Sequence, residues 1–480
     1  MTASIHGNLI GGSWREGADS RPNINPSDTS DVIGRYAQAS AADAADAIAA
    51  AAKAFESWQF SSIQDRFDAL DRIGTELLAR REELGRLLSR EEGKTLREGI
   101  GEVARAGSVF KFFAGECLRI PGELLASTRP GLTIEVTREP VGVVGLITPW
   151  NFPMAIPSWK IAPALCYGNT VVFKPAELVP GCAWALAEII SRAGLPAGVF
   201  NLVMGKGSIV GEAMVTSPAV SAISFTGSVA TGQSIVEKAS ARGAKVQVEM
   251  GGKNPLVVLD DADLEIAANV ALQGAYFSTG QRCTASSRLI VTEAIHDRFV
   301  ATLKQKLAAL KVAHALEPDT DIGPVVDGSQ LEQDLSYIRI GRQEGATLAY
   351  GGRRLERPTA GFYLEPALFT DTAPAMRINQ EEIFGPVASV IRVRDFEEAL
   401  AAANAVPFGL SSGIVTTSLK HAATFRRRAQ AGMVMVNVPT AGVDYHVPFG
   451  GRKASSYGPR EQGRYAMDFY TSVKTAYVAP

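Results

Sequence analysis

The sequence predicts an α/β fold built on doubly wound, mainly parallel sheets, with a small protruding β element. Two observations carry the parallel sheets. From Val141 onward, short apolar runs of the kind buried on both faces of a sheet alternate with helical stretches. The chain has 480 residues, more than a single core accommodates, so two or three domains are expected. The protruding element rests on a third. Ile134 and Val136 alternate with Thr133, Glu135 and Thr137 outside that regular rhythm, and residues 471–478 alternate in the same way.

Taken in order, the chain opens with a short strand-and-turn region punctuated by Gly11-Gly12 and Asn25-Pro26. Ser40 and Asp43 have the spacing of a capping box, and an alanine-rich helix should follow to about Trp58. Ile63, Phe67, Leu70, Ile73, Leu77, Leu84 and Leu88 recur at helical spacing, and a further helix is expected over 97–117. These helices read as packing elements without chemistry of their own. A hairpin is expected within residues 119–140, after the turn signal Arg129-Pro130-Gly131. The unpaired strands there and at the C-terminus would form a joint sheet, completed across subunits or closed as an ordinary edge within the chain. The alternating region then predicts strands at 141–147, 170–173, 198–203 and 220–225, with helices at 160–167, 181–193 and 209–216. A strand at 256–259 and a helix over 261–276 follow. Ligands of such sheets sit at the carboxyl ends of the strands.

Composition narrows the function. Apolar residues at 46% and charged residues at 20% describe a globular protein, and a net charge of −2 gives no general drive toward nucleic acid or an acidic membrane. The four cysteines, Cys117, Cys166, Cys182 and Cys283, form no CxxC pair, and the five histidines form no HxxxH, so neither a disulfide framework nor a metal site is expected. Residues 141–159 are uncharged and long enough to span a bilayer. Their Pro149, Pro153 and Pro157, with Asn151, suit a buried strand and loop better. With no secretory signal visible, a cytoplasmic location is expected.

Several segments could carry chemistry. Cys283 follows Gly280 and Arg282, a setting that could lower a thiol pKa and make a nucleophile, although most free cysteines are small buried hydrophobes. Asn151, between prolines and aromatics at a strand end, is a rigid amide suited to an oxyanion, or an ordinary turn residue. Gly227 and Ser228 join a strand to a helix whose N-terminus favours phosphate, in a GSxxxG spacing that is weak as a dinucleotide fingerprint. Lys174 and Glu177 follow a buried strand, where a ribose is often gripped. Glu249 precedes the pair Gly251-Gly252, which permits close backbone approach.

Together, TPWNFP, KPAE, FTGSVATG, EMGGKNP, GQRC, EEIFGPV and PFGG resemble, in order and approximate spacing, the NAD(P)-dependent aldehyde dehydrogenases over nearly the whole chain. The resemblance implies Cys283 as nucleophile, Asn151 and the Cys283 backbone amide as oxyanion donors, and Glu249 as general base. It implies Lys174 and Glu177 at the ribose, Gly227 and Ser228 at the pyrophosphate, and Trp150, Glu382 and Phe384 around the cofactor, NAD or NADP. It also implies a cofactor domain (1–118 and 141–250), a catalytic domain (251–440), an oligomerisation arm (119–140 and 468–480) and a substrate-entrance and return segment (441–467). A homodimer or homotetramer is expected.

The stretch after Asn437 is most similar to bacterial α-ketoglutaric semialdehyde (2,5-dioxovalerate) dehydrogenases. A substrate with a distal carboxylate asks for a cationic or amide-rich pocket, and Arg282, Tyr445, His446, Arg452 and Arg460 are the candidates. Succinic or glutaric semialdehyde, or a broad aldehyde range, are alternatives. Glu249 weighs against a CoA-acylating relative, whose branch generally lacks it. A cysteine hydrolase and an inactive structural protein are the readings from other classes.

Overall fold

The computed structural model describes residues 5–480. Its first large sheet has eight strands, and five of them are parallel, in the spatial order Lys245–Glu249, Val220–Thr226, Val143–Ile147, Thr170–Lys174, Phe200–Leu202. Numbered along the chain this order is 5-4-1-2-3, so the winding reverses between Val143–Ile147 and Val220–Thr226. A crevice opens at the carboxyl ends of strands at such a reversal. The apolar runs alternate faces as strands must. Val144 and Leu146 enter one core, and Val143 and Ile147 the other.

The second sheet has seven strands and is parallel apart from its edge strand Thr347–Tyr350. Leu256 and Val258 face one core while Val257 and Leu259 face another. Lys245–Glu249 of the first sheet leads into Asn254–Val258 of the second through residues 250–253 alone. The carboxyl edge of one sheet therefore opens on the amino edge of the other. Residues 441–467 stitch the two together. Arg452–Lys453 pairs with Phe408–Gly409, and Ser456–Tyr457 adds to the first sheet beside Lys245–Glu249.

The hairpin strands Glu123–Ala126 and Thr133–Pro140 pair with Thr471–Val478 in one antiparallel sheet, with every residue from Thr471 to Val478 in register. Both expected partners thus meet within the chain. No helix among the described residues is long and apolar enough to cross a membrane.

Local departures from the sequence reading have physical causes. The helix expected at 160–167 runs over Ala155–Cys166. Pro157 falls in its first turn, where a missing N–H costs nothing. The helix expected from 261 starts at Leu264, because Asp263 caps it by accepting from the Ile266 N–H at 2.9 Å. The expected helix at 209–216 divides into a wide turn, Gly207–Gly211, and a short helix, Glu212–Thr216. The capping box at Ser40 and Asp43 forms as expected.

Asn169 is the fully buried junction of these parts. Its Oδ1 accepts from the N–H groups of Val141 (2.8 Å) and Gly142 (3.1 Å), while Nδ2 donates to the carbonyls of Ala164 (3.2 Å) and Tyr470 (2.9 Å). One amide joins the start of a central strand, the end of a buried helix and the root of the C-terminal strand. Asn169→Ala leaves the N–H groups of Val141 and Gly142 and the Tyr470 carbonyl without this partner, while the Ala164 carbonyl keeps the backbone N–H of residue 169 (2.9 Å), and it should lower unfolding free energy by roughly 3 kcal/mol, read from the urea midpoint. A change below about 1 kcal/mol would contradict this role.

Candidate active site

Cys283 sits on a loop whose backbone is costly to build. Ser278, Thr279 and Gly280 have φ of 51°, 56° and 65°, three successive residues in the left-handed region. A Cβ at Gly280 would stand 2.2 Å from the Gly385 carbonyl oxygen, so only glycine fits there. Two side chains, the partly buried Glu98 and the buried Asn254, hold the loop. Glu98 accepts from the Ser278 N–H (2.9 Å), the Ser278 hydroxyl (2.8 Å) and Arg282 Nη2 (3.0 Å). Asn254 Nδ2 donates to the carbonyls of Cys283 (2.7 Å) and Ala285 (3.0 Å), and its Oδ1 accepts from the Ser411 N–H at 3.0 Å. A Cβ at Gly252 would lie 2.7 Å from the Cys283 carbonyl oxygen, which accounts for the second glycine of the pair.

Asn151 is buried at the loop that ends Val143–Ile147. Its Nδ2 donates to the carbonyl of Gln281 at 2.9 Å, which brings the amide against the cysteine loop and leaves its second N–H free to serve an oxyanion. Lys94 Nζ donates to the Asn151 carbonyl (2.7 Å) and to Glu102 (2.8 Å), and the other Glu102 oxygen accepts from the N–H groups of Met154 and Ala155. The asparagine turn is thus held by a buried ion pair.

The expectation of a lowered thiol pKa is overturned. Burial, with the nearby carboxylates of Glu382 and Glu249, pushes the Cys283 thiol up to about 12. Arg282 does not offset this, because its guanidinium is turned to Glu98 and the Ser278 hydroxyl. Cys283 therefore rests as a thiol and needs a base.

Glu249 ends its strand 2% exposed, accepts from the Ser456 hydroxyl, and is held well above the usual carboxyl range by burial and by the charge of Glu461. Glu461 accepts from Trp159 Nε1 (2.6 Å) and from Lys160 Nζ. Lys160 also donates to Ser224 Oγ at 2.7 Å, and Ser224 in turn donates to Gln247 at 3.0 Å. This buried acid–lysine–hydroxyl cluster lies within electrostatic reach of Glu249. The sequence reading missed it. A lone lysine inside the apolar run AIPSWKIAPALC was the available signal for Lys160; Glu461 had none.

The cofactor candidates gather at the carboxyl edge of the first sheet. Trp150, Lys174 with Glu177, and Gly227 with Ser228 follow three neighbouring strands. Ser228 caps the helix Val229–Ala241, accepting from the Thr231 N–H at 3.4 Å. Burial lowers Lys174 to about 8, and its ammonium donates only to the carbonyl of Pro175 (2.8 Å). Glu177 pairs with Arg21 at 3.3 Å. Between them the hydroxyls of Thr148 and Thr226, at the ends of the two strands that flank the winding reversal, are buried without partners. Buried donors and acceptors left open at a helix N-terminus and strand ends fit a polar, phosphate-bearing ligand. Across the crevice Glu382 accepts from the Gly252 N–H at 2.8 Å and is raised to about 7 by burial. Phe384 meets Trp150 edge to face at 5.4 Å.

Cys283 lines a cavity of about 280 Å³, walled by Phe152, Ile156, Trp159, Val443 and Phe449 and bearing Arg105 and Arg282. The five residues expected to read a substrate carboxylate fare differently. Arg282 lines the cavity but is already paired with Glu98. Arg452 is exposed, turned out by the pairing of its strand with Phe408–Gly409. Arg460 donates to the Gly451 carbonyl and stands beside Glu249, where Gly450 (φ 150°) leaves room for both. Tyr445 packs against Phe112 at 6.2 Å and against His446 at 5.6 Å, and neither lines the cavity. Conversely, the helix expected at 97–117 as mere packing forms as Leu96–Cys117 and brings Glu98, Glu102 and Arg105 to the cavity. Its T-x-x-E capping box at Thr95 and Glu98 was legible, and one of the two Glu98 oxygens serves that cap while the other serves the cysteine loop.

Comparison with known proteins follows this geometry. The model of the aldehyde dehydrogenase family matches residues 14–476. The chain is 45% identical over 478 residues to an α-ketoglutaric semialdehyde dehydrogenase of Bacillus subtilis, covering 98% of each chain. It is 43% identical over 475 residues to an α-ketoglutarate semialdehyde dehydrogenase of Haloferax volcanii, again covering 98% of each. Among solved structures it is similar to a betaine aldehyde dehydrogenase from Staphylococcus aureus in complex with NAD+, with a TM-score of 0.96 and 35% identity over 100% of this chain and 95% of that one. The α/β fold expected from the sequence is the fold of these proteins.

A thiol raised to about 12 gains thiolate as pH rises and reaches no plateau in the ordinary working range. Alkylation of Cys283 by iodoacetamide in the ligand-free protein should therefore climb about tenfold per pH unit from about pH 7 to about pH 10. Peptide mass spectrometry measures the rate at this residue. A plateau below about pH 9 would show that a cation, not burial, governs the thiol.

Proposed function

The chain belongs to the aldehyde dehydrogenase family, and on that premise we propose that it oxidises α-ketoglutaric semialdehyde to 2-oxoglutarate with NAD, or NADP, as electron acceptor. The observation that carries the reading is the placement of Cys283 at a cavity of about 280 Å³, with the Asn151 amide against its loop and the Glu249 charge bearing on its thiol. The similarity to two α-ketoglutaric semialdehyde dehydrogenases over 98% of the chain supports the substrate. The NAD+ complex of a similar structure, with the open polar groups at Thr148, Lys174 and Thr226, supports the cofactor.

Each residue then has a task. Glu249, its own pKa raised, is matched to accept the thiol proton of Cys283. The thiolate adds to the aldehyde carbon, and the charge that forms on oxygen is met by the Asn151 amide and the Cys283 N–H. Each such donor contributes about 3 kcal/mol to the transition state. The bound nicotinamide supplies the acceptor for the two electrons and hydrogen that leave the substrate carbon. Cys283 is left as a thioester. Glu249 takes a proton from water, the water oxygen attacks the thioester carbon, and the acid departs as the C–S bond breaks.

Lys174 and Glu177 would hold the ribose, Gly227 and Ser228 the pyrophosphate, and Trp150, Glu382 and Phe384 the nicotinamide side. We also propose the division into a cofactor domain (1–118 and 141–250), a catalytic domain (251–440), an arm (119–140 and 468–480) and an entrance segment (441–467). Residues 1–4 lie outside the described residues. The arm exposes Leu124, Leu125, Val473 and Tyr477, an apolar set that supports assembly into a homodimer or homotetramer. A cytoplasmic setting suits four free cysteines.

The substrate is tested by specificity constants for α-ketoglutaric semialdehyde, succinic semialdehyde, betaine aldehyde and pentanal, each with NAD and with NADP. α-Ketoglutaric semialdehyde should lead, with succinic semialdehyde second and the other two at least about tenfold lower. A preference for pentanal or betaine aldehyde would refute the proposed substrate.

A further inference from the structure

Five charged side chains besides Cys283 line the cavity, and all but one are matched. Lys94 is paired with Glu102 at 2.8 Å, and Arg282 with Glu98 at 3.0 Å. Arg105 has no carboxylate within ion-pair distance among the described residues; Glu102 and Asp444 act on it only at longer range. Its sole hydrogen bond is from Nη2 to the Gln462 side-chain carbonyl at 3.2 Å, and Nε is buried with no acceptor. Trp159 covers the guanidinium, its ring centroid 5.6 Å from Cζ. The fork is therefore held in place by an amide and an aromatic face, and it stays short of an anion.

We propose that Arg105 is the residue that selects the substrate, by pairing with the carboxylate that an α-keto semialdehyde carries at the end away from its aldehyde. The inference rests on the substrate reading above and names the group that reads the charge. A planar guanidinium presents parallel N–H donors to a carboxylate, and apolar walls of Phe152, Ile156 and Trp159 keep water from weakening the pair. Arg105 and Cys283 line the same cavity, so one short substrate can meet both. The same unmatched positive charge disfavours a cationic aldehyde such as betaine aldehyde, the substrate named for a protein of the same fold. Arg282, next to the nucleophile in the chain, cannot take this role without abandoning Glu98 and loosening the cysteine loop.

The test compares kcat/KM for α-ketoglutaric semialdehyde and for pentanal in the full-length protein and in Arg105→Leu and Arg105→Lys. Arg105→Leu should lower the value for the semialdehyde by roughly 100-fold, mainly through KM, and leave pentanal unchanged within about threefold. Arg105→Lys, which keeps the charge but not the fork, should lose roughly tenfold on the semialdehyde alone. Pentanal oxidation reports folding in both variants, and if Arg105→Leu does not fold, Arg105→Lys decides. Equal losses on both aldehydes, or no loss on the semialdehyde, would overturn the assignment. If the unmodified protein prefers pentanal, the substrate reading fails instead; if it prefers the semialdehyde and Arg105→Leu keeps that preference, only the assignment of Arg105 fails.

Discussion

One buried amide, that of Asn254, sets the position of the Cys283 backbone. Asn254 donates to the carbonyls on either side of the turn after Cys283 and accepts from the first residue of the neighbouring strand, Ser411. Three chain segments that are far apart in sequence are locked by one side chain at the amino edge of the second sheet. Glu98 locks the other flank of the loop from a helix of the first domain region. The left-handed run at residues 278–280 would be unstable alone, and it persists because both flanks are fixed. The meeting of the two sheets then follows from the chain itself, since the strand ending in Glu249 leads into the strand beginning at Asn254 through residues 250–253 alone.

The electrostatics of the junction obey a single pattern. Charges that hold the scaffold are paired and buried, as with Lys94 and Glu102. Charges assigned to chemistry are left imperfectly matched. Cys283 is held as a thiol, Glu249 and Glu382 are pushed toward neutrality by burial, and Arg105 lacks a counter-ion. An unmatched buried charge is costly to folding, so its persistence at a cavity marks work done on a ligand. Under the proposed chemistry, the raised thiol pKa calls for a base close to Cys283.

Much of this was legible in the sequence. Strand alternation gave the parallel sheets, because side chains buried on both faces leave an unbroken apolar run, and the capping box at Ser40 marked a helix start. The motif order singled out Cys283, Glu249 and Asn151, and the fold brings the Asn151 amide against the loop that carries Cys283. Side-chain direction was not legible. Arg282 and Arg452 were equally basic on paper, yet one turns to Glu98 and the other to solvent. Nor was the use of the helix Leu96–Cys117, which read as a packing element, until the fold turned its Glu98, Glu102 and Arg105 onto the cavity. Adjacency in sequence suggested that Arg282 would activate the thiol; the fold gave that arginine to the loop.

The account turns on a covalent thioester at Cys283 that Glu249 clears. The most direct measurement is rapid mixing of the Glu249→Gln variant with substrate and cofactor, followed by quenching and peptide mass spectrometry. In this variant reduced cofactor and the acyl mass on the peptide containing Cys283 should form more slowly than in the unmodified protein, because the thiol has lost its base, and the acyl mass should then persist, because water has lost the same base. A variant that turns over at the unmodified rate, or an acyl group on Cys117, Cys166 or Cys182, would contradict it.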